Sequence, residues 1–303
     1  MKKRVAVVVV NYRGLNDTLV CLKSLIECRG KEGLLSVVVN VAETDKDKEE
    51  GRIIRRKFPT TQLIETENVG FSGANNRGIK LALGKGAEII MLLNNDTEVD
   101  KDLLVSLEKA LRRKEVGVVS PKIYFYPGRE FHHDDYTDSE RGKVIWYAGG
   151  IIDWANVYGY HRGVDEVDHG QFDEGEETDF TTGCCLATRR EVLERVGLLN
   201  ENYFLYWEDA DWSMRVKRAG FKVWYEPQGK VWHKNAGTTG GAGSTLHQYY
   251  QTRNRLFFGF GYAPIRTKLA LVREAGGKLS KGTLVERQAV KDFFLLRKGR
   301  GTI

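Results

Sequence analysis

Three carboxylates stand close together in one short segment of the chain. Glu208, Asp209 and Asp211 follow an aromatic run and open a helical pattern that Gly220 closes. A helix N-terminus stabilises anions, so capping explains any one of these acids. Three acids exceed what a cap needs, and they repel one another. The excess predicts a site that holds an ionised carboxylate beside a hydroxyl group, with rings such as that of Trp207 against a flat, hydroxyl-rich ligand such as a sugar.

Polar side chains also follow several predicted strands. They are Asn11 and Tyr12, then Asn40, then Asn68, then Asn94, Asn95 and Asp96. Each residue alone is an ordinary turn former. Because the carboxyl ends of parallel strands meet at one edge of a sheet, we expect these side chains to lie together. Open α/β sheets bind their ligands at this edge.

The elements that must position these residues alternate between strand and helix. Apolar runs typical of strands covered on both faces occur at residues 5–10, 35–41, 63–64, 88–93 and 116–119. Helical stripes lie between them, including one at 75–83 and one after Asp100. Two further strands are predicted at 221–225 and just before His233. The alternation predicts an α/β fold in which the first 120 residues form an open, mostly parallel sheet with flanking helices.

Composition favours a cytoplasmic protein with a sizeable core. The chain has 303 residues and 41% hydrophobic content. Its cysteines, Cys21, Cys28, Cys184 and Cys185, form neither a CxxC pair nor a disulfide framework, which indicates a reducing compartment. No apolar run approaches the roughly 20 residues of a membrane helix, and the apolar run near the start is too short for a signal peptide.

The net charge of +6 is unevenly distributed. Residues 265–303 contain ten Lys or Arg and three acids, a balance of +7, so the remainder is −1. This tail alternates apolar and basic residues and predicts amphipathic helices. They either pack on the body, rest on an anionic membrane face or form a solvated basic surface. Because the charge is terminal and no aromatic RNA-reading motif is present, nucleic-acid binding is not expected.

Five segments resemble, in order, the motifs of inverting family 2 glycosyltransferases, and the rhamnosyltransferase-like branch most of all. They are ENVGFSGANNRGI (67–79), MLLNNDTEVD (91–100), TTGCCLATRREVLERVGLLNENYFLYWEDADWSMRVKRAG (181–220), VWH (231–233) and YYQTRNRL (249–256). The resemblance implies a GT-A fold, which is Rossmann-like, and a nucleotide-diphosphate sugar donor. It also implies a Mg2+ or Mn2+ cofactor and a role in polysaccharide biosynthesis of the cell envelope. Acceptors in this family are often lipid-linked glycans.

The same resemblance assigns roles to individual residues. Asp209 matches the catalytic base, Asp96 the metal-binding carboxylate and His233 a second metal ligand. For Asp96 the alternative is a turn or cap residue, and for His233 it is a strand-end histidine bonded to backbone. A hard cation that bridges two phosphates takes oxygen ligands, so one carboxylate and one imidazole are sufficient protein ligands.

Donor and acceptor contacts are assigned by the same motifs. The predicted donor-binding residues are Asn11, Tyr12, Asn40, Asn68, Gly70, Asn76, Asn94 and Asn95. Relatives commonly show Asp-Asn-Ala-Ser-Thr-Asp where this chain has Asn-Val-Ala-Glu-Thr-Asp, starting at Asn40. An amide can still bond a pyrimidine edge, so the base, dTDP or UDP, is left open. Trp207 and Glu208 are assigned to the acceptor, and Arg253 is predicted to face phosphate.

The implied reaction is a single displacement. Asp209 takes a proton from an acceptor hydroxyl as that oxygen attacks the anomeric carbon, which inverts the configuration. Residues 1–235 would form the GT-A domain, with 1–100 binding the nucleotide sugar and 101–235 carrying acceptor and catalytic functions. Residues 236–303 would form a glycine-rich loop, acting as a lid or a plain linker, and the basic helices.

The histidines outside the motifs and the alternative function remain. The histidine-containing tracts 126–146, with His132 and His133, and 159–177, with His161 and His169, are predicted to face solvent beside the acceptor cleft. The alternative function is a non-catalytic nucleotide-sugar or carbohydrate-binding subunit of a polysaccharide assembly system. The expected location is the cytoplasm, either free or peripheral on the inner membrane face.

Overall fold

A computed structural model of the chain describes residues 4–235 and 243–303. The strands in these ranges are β1 (Val5–Asn11), β2 (Leu35–Val41), β3 (Gln62–Thr66), β4 (Ile89–Asn94), β5 (Thr97–Val99), β6 (Val116–Phe125), β7 (Ile145–Tyr147), β8 (Gly150–Asp153), β9 (Tyr158–His161), β10 (Glu176–Glu177), β11 (Cys185–Arg189) and β12 (Lys222–His233). The α-helices are α1 (Leu15–Ile26), α2 (Asp45–Lys57), α3 (Gly70–Gly84), α4 (Leu103–Leu111), α5 (Arg190–Val196), α6 (Glu208–Arg218), α7 (Thr245–Tyr262), α8 (Ile265–Lys281) and α9 (Leu284–Phe294).

The main sheet has the order β10-β12-β6-β11-β4-β1-β2-β3. Strand β1 lies parallel to β2 and β4, β2 is parallel to β3, and β6 is parallel to β12. Strand β11 is antiparallel to both β4 and β6. The α/β class and the mostly parallel sheet are therefore confirmed. The first 120 residues do not form the sheet alone, however, because β11 separates β4 from β6.

Three predicted boundaries differ from the structure. The two strands expected near His233 are one strand, β12, with a register irregularity between Glu226 and Lys230. Helix α3 begins at Gly70 rather than at residue 75. Helix α4 starts after Asp102, while the Asp100 carboxylate accepts a bond from the Asp102 amide in the preceding turn, at 2.8 Å.

Strand β1 shows why the sheet is covered on both faces. Its side chains alternate between two core clusters, with Val5, Val7 and Val9 in one and Ala6 and Val8 in the other. Helices α1 and α4 supply the first cluster, and α3, α5 and α6 supply the second. An apolar run without polar interruption is what burial on both faces requires.

The C-terminal helices pack on the body through one face. Phe258 of α7, Leu271 of α8 and Phe293 of α9 share a core cluster with Ile152 and Phe180 of the body. Three arrangements were expected for the tail, and the structure shows one of them, packing on the body, for the apolar face that carries these residues. The division of the chain at residue 235 stays a prediction. Within the described ranges, no helix is both long and apolar enough to cross a bilayer.

Candidate active site

The carboxyl ends of the parallel strands bring the predicted polar residues to one edge. In the sheet register Asn11 lies beside Asn40, and Val10 lies beside Asn94. Asn68 follows β3 and accepts a hydrogen bond from the Gly70 amide at the start of α3, at 3.1 Å. The expectation that these residues meet at one sheet edge is confirmed.

Asn11 and Asn40 form a buried network under this edge. The Asn11 amide donates to Asn40 Oδ1 at 2.6 Å and to Glu50 Oε2 at 3.0 Å, and Asn40 Nδ2 donates to the Asp47 carbonyl at 2.8 Å. Both asparagines are fully buried. Their side chains therefore hold β1, β2 and α2 together, and a contact between Asn40 and a nucleotide base stays a prediction. Tyr12 is half-buried, and its hydroxyl donates to Glu43 at 3.3 Å.

The other predicted donor residues have contacts within the protein. The Asn76 amide donates to the Leu199 carbonyl and to Glu201, and its oxygen accepts from the Leu199 amide, so it ties α3 to the segment before α6. Asn95 Nδ2 donates to the Gly14 carbonyl at 3.3 Å and to Thr18 at 3.1 Å. Donor binding by these residues stays a prediction.

Asp96 and His233 are brought together by strand pairing. Strand β5 begins directly after Asp96, and its first residue, Thr97, pairs with His233 at the end of β12. The Asp96 carbonyl accepts from the Lys234 amide at 2.9 Å. The Asp96 Oδ1 and His233 Nε2 atoms lie 3.2 Å apart, and both side chains are largely buried. Two residues 137 positions apart in sequence therefore form one adjacent pair.

This pair fits two ligands of one hard cation. Ligands about 2.1 Å from Mg2+ at right angles are about 3.0 Å apart, close to the observed 3.2 Å. Within the described ranges no group of three or more His, Cys, Asp or Glu has metal-binding proximity, so phosphate oxygens and water would complete the shell. His233 Nδ1 is buried without a hydrogen-bond partner in those ranges, and the Trp146 ring packs edge-on against the imidazole at 4.6 Å. A carbonyl or carboxylate commonly orients a histidine that binds a metal, whereas the Trp146 ring contacts this imidazole.

Asp209 lies in the first turn of α6, as its sequence position predicted. Its Oδ1 accepts from the Ala210 amide and its Oδ2 from the Gly183 amide, both at 2.8 Å. The next residue, Cys184, accepts at its carbonyl from the Asn94 amide at 2.8 Å. The Asp209 carboxylate is thus tied to the strand ends that carry Asp96. The contact of Gly183 with Asp209 is not predictable from local sequence, because only the tertiary fold brings Gly183 to α6.

Two carboxyl groups of α6 have raised pKa values. Burial of the carboxyl raises the pKa of Asp209, although the Gly183 and Ala210 amides act in the opposite direction. Burial, followed by the charge of Asp209, raises the pKa of Glu208 well above its ordinary value, and Glu208 Oε2 is buried without a hydrogen-bond partner among the described residues. A carboxylate with a raised pKa is a stronger base, which suits proton abstraction.

A strained segment precedes α6. Phe204, Tyr206 and Trp207 have φ angles of +65°, +66° and +74°, which bulky L-residues rarely adopt. The Phe204 carbonyl accepts from the Phe71 amide at 2.7 Å, and a Cβ added to Gly70 would collide with that carbonyl oxygen. Backbone strain of this kind clusters at functional sites, where the surrounding contacts maintain it.

The predicted acceptor and phosphate contacts are buried in the described structure. The Trp207 indole packs against Phe258 with ring centroids 4.8 Å apart, and its Nε1 donates to Gln251 at 2.7 Å. Arg253 is fully buried, and its Nη2 donates to the Tyr203 carbonyl at 3.1 Å. A phosphate contact by Arg253 would require exchange of these bonds, so it stays a prediction, as do the acceptor roles of Trp207 and Glu208.

The histidines of the two tracts differ in their exposure to solvent. His132, His133 and His169 are exposed, as predicted. His161 was expected to face solvent too, but its side chain is partly buried, so this expectation is wrong in that respect. Its ring packs against Trp146 at 4.4 Å, and burial lowers the pKa of its imidazole to about 4. Alternation in β9 turns this side chain toward the body. The predicted lid, residues 237–243, lies outside the described ranges apart from Gly243.

Comparison with known proteins gives a family match over most of the chain. The model of Glycosyltransferase like family 2 matches residues 3–259. An N-acetylglucosaminyl-diphospho-decaprenol L-rhamnosyltransferase of Mycobacterium tuberculosis is 41% identical over 200 residues, covering 61% of this chain and 62% of the relative. A dTDP-rhamnosyl transferase, RfbF, of Shigella flexneri is 23% identical over 226 residues, covering 72% and 68%. The predicted resemblance to rhamnosyltransferase-like members of family 2 is confirmed.

A more distant relative and two solved structures agree with this match. A low-salt glycan biosynthesis hexosyltransferase, Agl10, of Haloferax volcanii is 25% identical over 52% of this chain and 46% of the relative. The chain thus spans less than two thirds of the length of the Haloferax and Mycobacterium relatives. GalNAc-T7 with UDP, GalNAc and Mn2+ superposes with a TM-score of 0.61 at 17% identity, over 76% of this chain and 43% of that one. The mannosyltransferase PcManGT from Pyrobaculum calidifontis with GDP-Man and Mn2+ gives 0.56 at 17%, over 98% and 81%. These likenesses confirm the GT-A fold.

Proposed function

We propose that this chain, which belongs to Glycosyltransferase like family 2, transfers a sugar from a nucleotide-diphosphate donor to a hydroxyl of a glycan or lipid-linked acceptor, with inversion. The observation that carries the proposal is the position of Asp209. Its carboxylate is held by two backbone amides at the start of α6 and is linked through Gly183 and Cys184 to the strand ends that carry Asp96.

Asp209 acts as the base in this mechanism. Its carboxylate accepts the proton of the acceptor hydroxyl while that oxygen forms a bond to the anomeric carbon and the bond to the diphosphate breaks. The Gly183 and Ala210 amides fix the direction of the carboxylate, so the reacting oxygen meets it in one orientation. One displacement inverts the anomeric carbon.

The donor would bind at the sheet edge beside Asp96 and His233. These two residues would hold a divalent cation, Mg2+ or Mn2+, which supplies neutralisation of the charge on the departing diphosphate. Two solved structures of the same fold contain Mn2+ together with UDP or GDP-Man. Because two relatives are named as rhamnosyltransferases, a dTDP-linked rhamnose is the first donor to test, and UDP-linked sugars are the second.

Transfer itself tests the proposal. Purified protein is incubated with Mn2+, dTDP-rhamnose and a synthetic N-acetylglucosaminyl-diphospho-polyprenol, and the product is analysed by NMR for the configuration of the new bond. A panel of UDP-sugars runs in parallel, with water as the default acceptor. The proposal expects metal-dependent release of nucleoside diphosphate and an inverted product. Binding of nucleotide sugars without hydrolysis or transfer would favour the alternative, a non-catalytic subunit of a polysaccharide assembly system.

The proposal includes a peripheral membrane contact through α8. One side of this helix, with Thr267, Leu271 and Ala275, is buried on the body. A second apolar stripe at helical spacing is exposed, formed by Ile265, Leu269, Val272 and Leu279. Lys268 and Arg273 flank that stripe on its two sides when α8 is drawn at 100° per residue. Apolar residues bordered by cations fit the interface of an anionic bilayer, where a lipid-linked acceptor would lie.

Vesicle sedimentation tests this contact. The protein should sediment with vesicles that contain phosphatidylglycerol at low salt, and less so at high salt, because the electrostatic part is screened. The variant Leu269→Ser should sediment less, while Val105→Ser, an exposed apolar position on the body, serves as the control. No sedimentation of the wild-type protein at low salt would remove the membrane contact and leave the transfer reaction untouched.

A further inference from the structure

The strained segment before α6 is held by side chains of α7. Asn254 Nδ2 lies 2.8 Å from the Tyr203 carbonyl, 2.8 Å from the Leu205 carbonyl and 3.0 Å from the Tyr206 carbonyl. One side-chain amide therefore donates to the carbonyl oxygen of the residue before the segment and to two carbonyl oxygens within it. Asn254 is fully buried, so water does not compete for these bonds.

Neighbouring groups keep the Asn254 amide in place. Its Oδ1 accepts from Arg253 Nε at 3.0 Å, which orients the NH2 group toward the carbonyls. Arg253 Nη2 donates to the Tyr203 carbonyl as well, at 3.1 Å. The Arg253 guanidinium lies over the Tyr250 ring, 4.9 Å from its centroid, and Phe204 stacks on the same ring, with centroids 5.3 Å apart. Contacts of α7 with the backbone carbonyls and with the Phe204 ring therefore hold the segment.

A single face of α7 makes the remaining contacts. Gln251, Asn254 and Phe258 are spaced i, i+3 and i+7, which places them on one side of a helix. Gln251 Oε1 accepts from the Trp207 indole, and Phe258 packs on the same indole. Trp207 in turn is the residue before α6, and its carbonyl accepts from the Asp211 amide at 2.9 Å. The start of α6 is therefore set by α7.

We infer that Asn254 and Gln251 are positioning residues: through the strained segment 204–207 they fix where α6 begins and hence where the Asp209 carboxylate points. The left-handed residues cannot maintain their conformation alone, since each would relax toward negative φ. The carbonyl bonds from α7 oppose that relaxation. Because Asp209 lies two residues beyond Trp207, a relaxed segment would move its carboxylate away from the Gly183 amide. Helix α7 in this way helps to position the catalytic base.

The inference rests on the proposed transfer reaction, and the test separates the two. Asn254→Leu keeps the size of the side chain and removes its donors. Asn254→Asp keeps the shape and the acceptor for Arg253 but also lacks donors. The expected result is a fall in kcat of about 100-fold, as for a misplacement on the order of 1 Å, with an unchanged dissociation constant for dTDP-rhamnose measured without acceptor.

Arg255 provides the matched control for a purely structural role. It is adjacent in α7 and nearly buried, and its guanidinium donates to the carbonyls of Asn156 and Val157, at 3.1 Å each from Nε. The carbonyls that it bonds, those of Asn156 and Val157, lie outside the strained segment. Arg255→Leu should therefore lower the melting temperature without changing kcat at temperatures where the variant is folded.

A second pair of variants keeps the inference testable if the Asn254 variants do not fold. Gln251 is partly exposed, so its replacement should be tolerated. Gln251→Leu removes the acceptor for the Trp207 indole and should lower kcat, and Gln251→Glu retains an acceptor oxygen and should restore it. Wild-type kcat in folded Asn254→Leu or Gln251→Leu, or an equal loss in Arg255→Leu, would overturn the inference. Absence of transfer by the wild-type protein would instead overturn the proposed function.

Discussion

Replacing Asp209 with Asn removes the base while changing little else around it. The substitution keeps the size of the side chain and one acceptor oxygen. Of the two backbone amides that Asp209 accepts from, one loses its partner, which costs about 1–3 kcal/mol. The loss of a buried charge returns part of this cost, because the pKa of Asp209 is raised by burial. We therefore expect a folded variant with a net destabilisation below about 2 kcal/mol.

The effect on the reaction should be much larger than the effect on stability. A positioned general base contributes about 10²–10⁴-fold in rate. At about 1.36 kcal/mol per tenfold, this corresponds to about 2.7–5.5 kcal/mol of transition-state stabilisation. Because Asp209 is assigned to the acceptor hydroxyl rather than to the donor, we expect the dissociation constant of the donor to be unchanged. In the wild-type protein, transfer should fall as the pH falls through the raised pKa of Asp209, because the protonated form cannot accept a proton.

The assay compares kcat, donor affinity and melting temperature for Asp209→Asn and for a neighbouring acid. Asp211→Asn is the matched control, since Asp211 lies on the same helical turn and accepts from Arg215 and Tyr262 within the protein. It should lower stability and leave kcat unchanged. A folded Asp209→Asn variant that binds donor and transfers sugar at the wild-type rate would refute the assignment of the base.

Three further predictions concern the metal pair, a buried acid and the strained segment. Mn2+ with UDP should stabilise the wild-type protein by about 2.7 kcal/mol at a ligand concentration of 100 times Kd, and its melting temperature should rise accordingly. Asp96→Asn or His233→Ala should lose most of that rise, because each removes one member of the pair. An unchanged rise in a variant would contradict metal binding by the pair. Glu208→Gln should gain stability relative to the wild-type protein as pH rises. Because the pKa of Glu208 is raised in the folded state, the wild-type protein loses, as pH rises through the folded-state pKa, stability that it has below the unfolded-state pKa, whereas glutamine does not titrate. Equal pH profiles of the two proteins in thermal unfolding would count against this prediction. Gly70→Ala should destabilise the fold by about 1–3 kcal/mol in denaturant titrations, since φ is +75° and a Cβ would meet the Phe204 carbonyl, whereas Gly84→Ala in open space at the end of the same helix should not.

Local sequence patterns were sufficient for the elements of the first half of the chain. An unbroken apolar run such as that of β1 has few alternatives to a strand buried on both faces, so its bounds are readable without tertiary information. The carboxyl ends of such strands lie at one edge by geometry, which is why the meeting of Asn11 and Asn40 was predictable. The motif around Asp209 likewise indicated a helix that starts with acids.

Strand β11 shows where local reasoning fails. Its five residues are all buried, but their position between β4 and β6 depends on a pairing with strands that lie about 70 to 100 residues earlier. The partial burial of His161 has the same origin, since Trp146 and Phe180 contact it from other segments. A polar tract read alone gives no sign of rings that arrive from elsewhere.

The amino-acid sequence by itself determined the family, the alternation of strands and helices, and the identity of the acidic and imidazole side chains available for chemistry. These follow from residue type and short-range spacing. The tertiary structure decided which of them meet: the pairing of β5 with β12 sets Asp96 beside His233, and the Gly183 amide reaches Asp209. It also decided that Asn254 supports the segment before α6. Such contacts join residues far apart in the chain, and their formation depends on the packing of the whole fold rather than on any local preference.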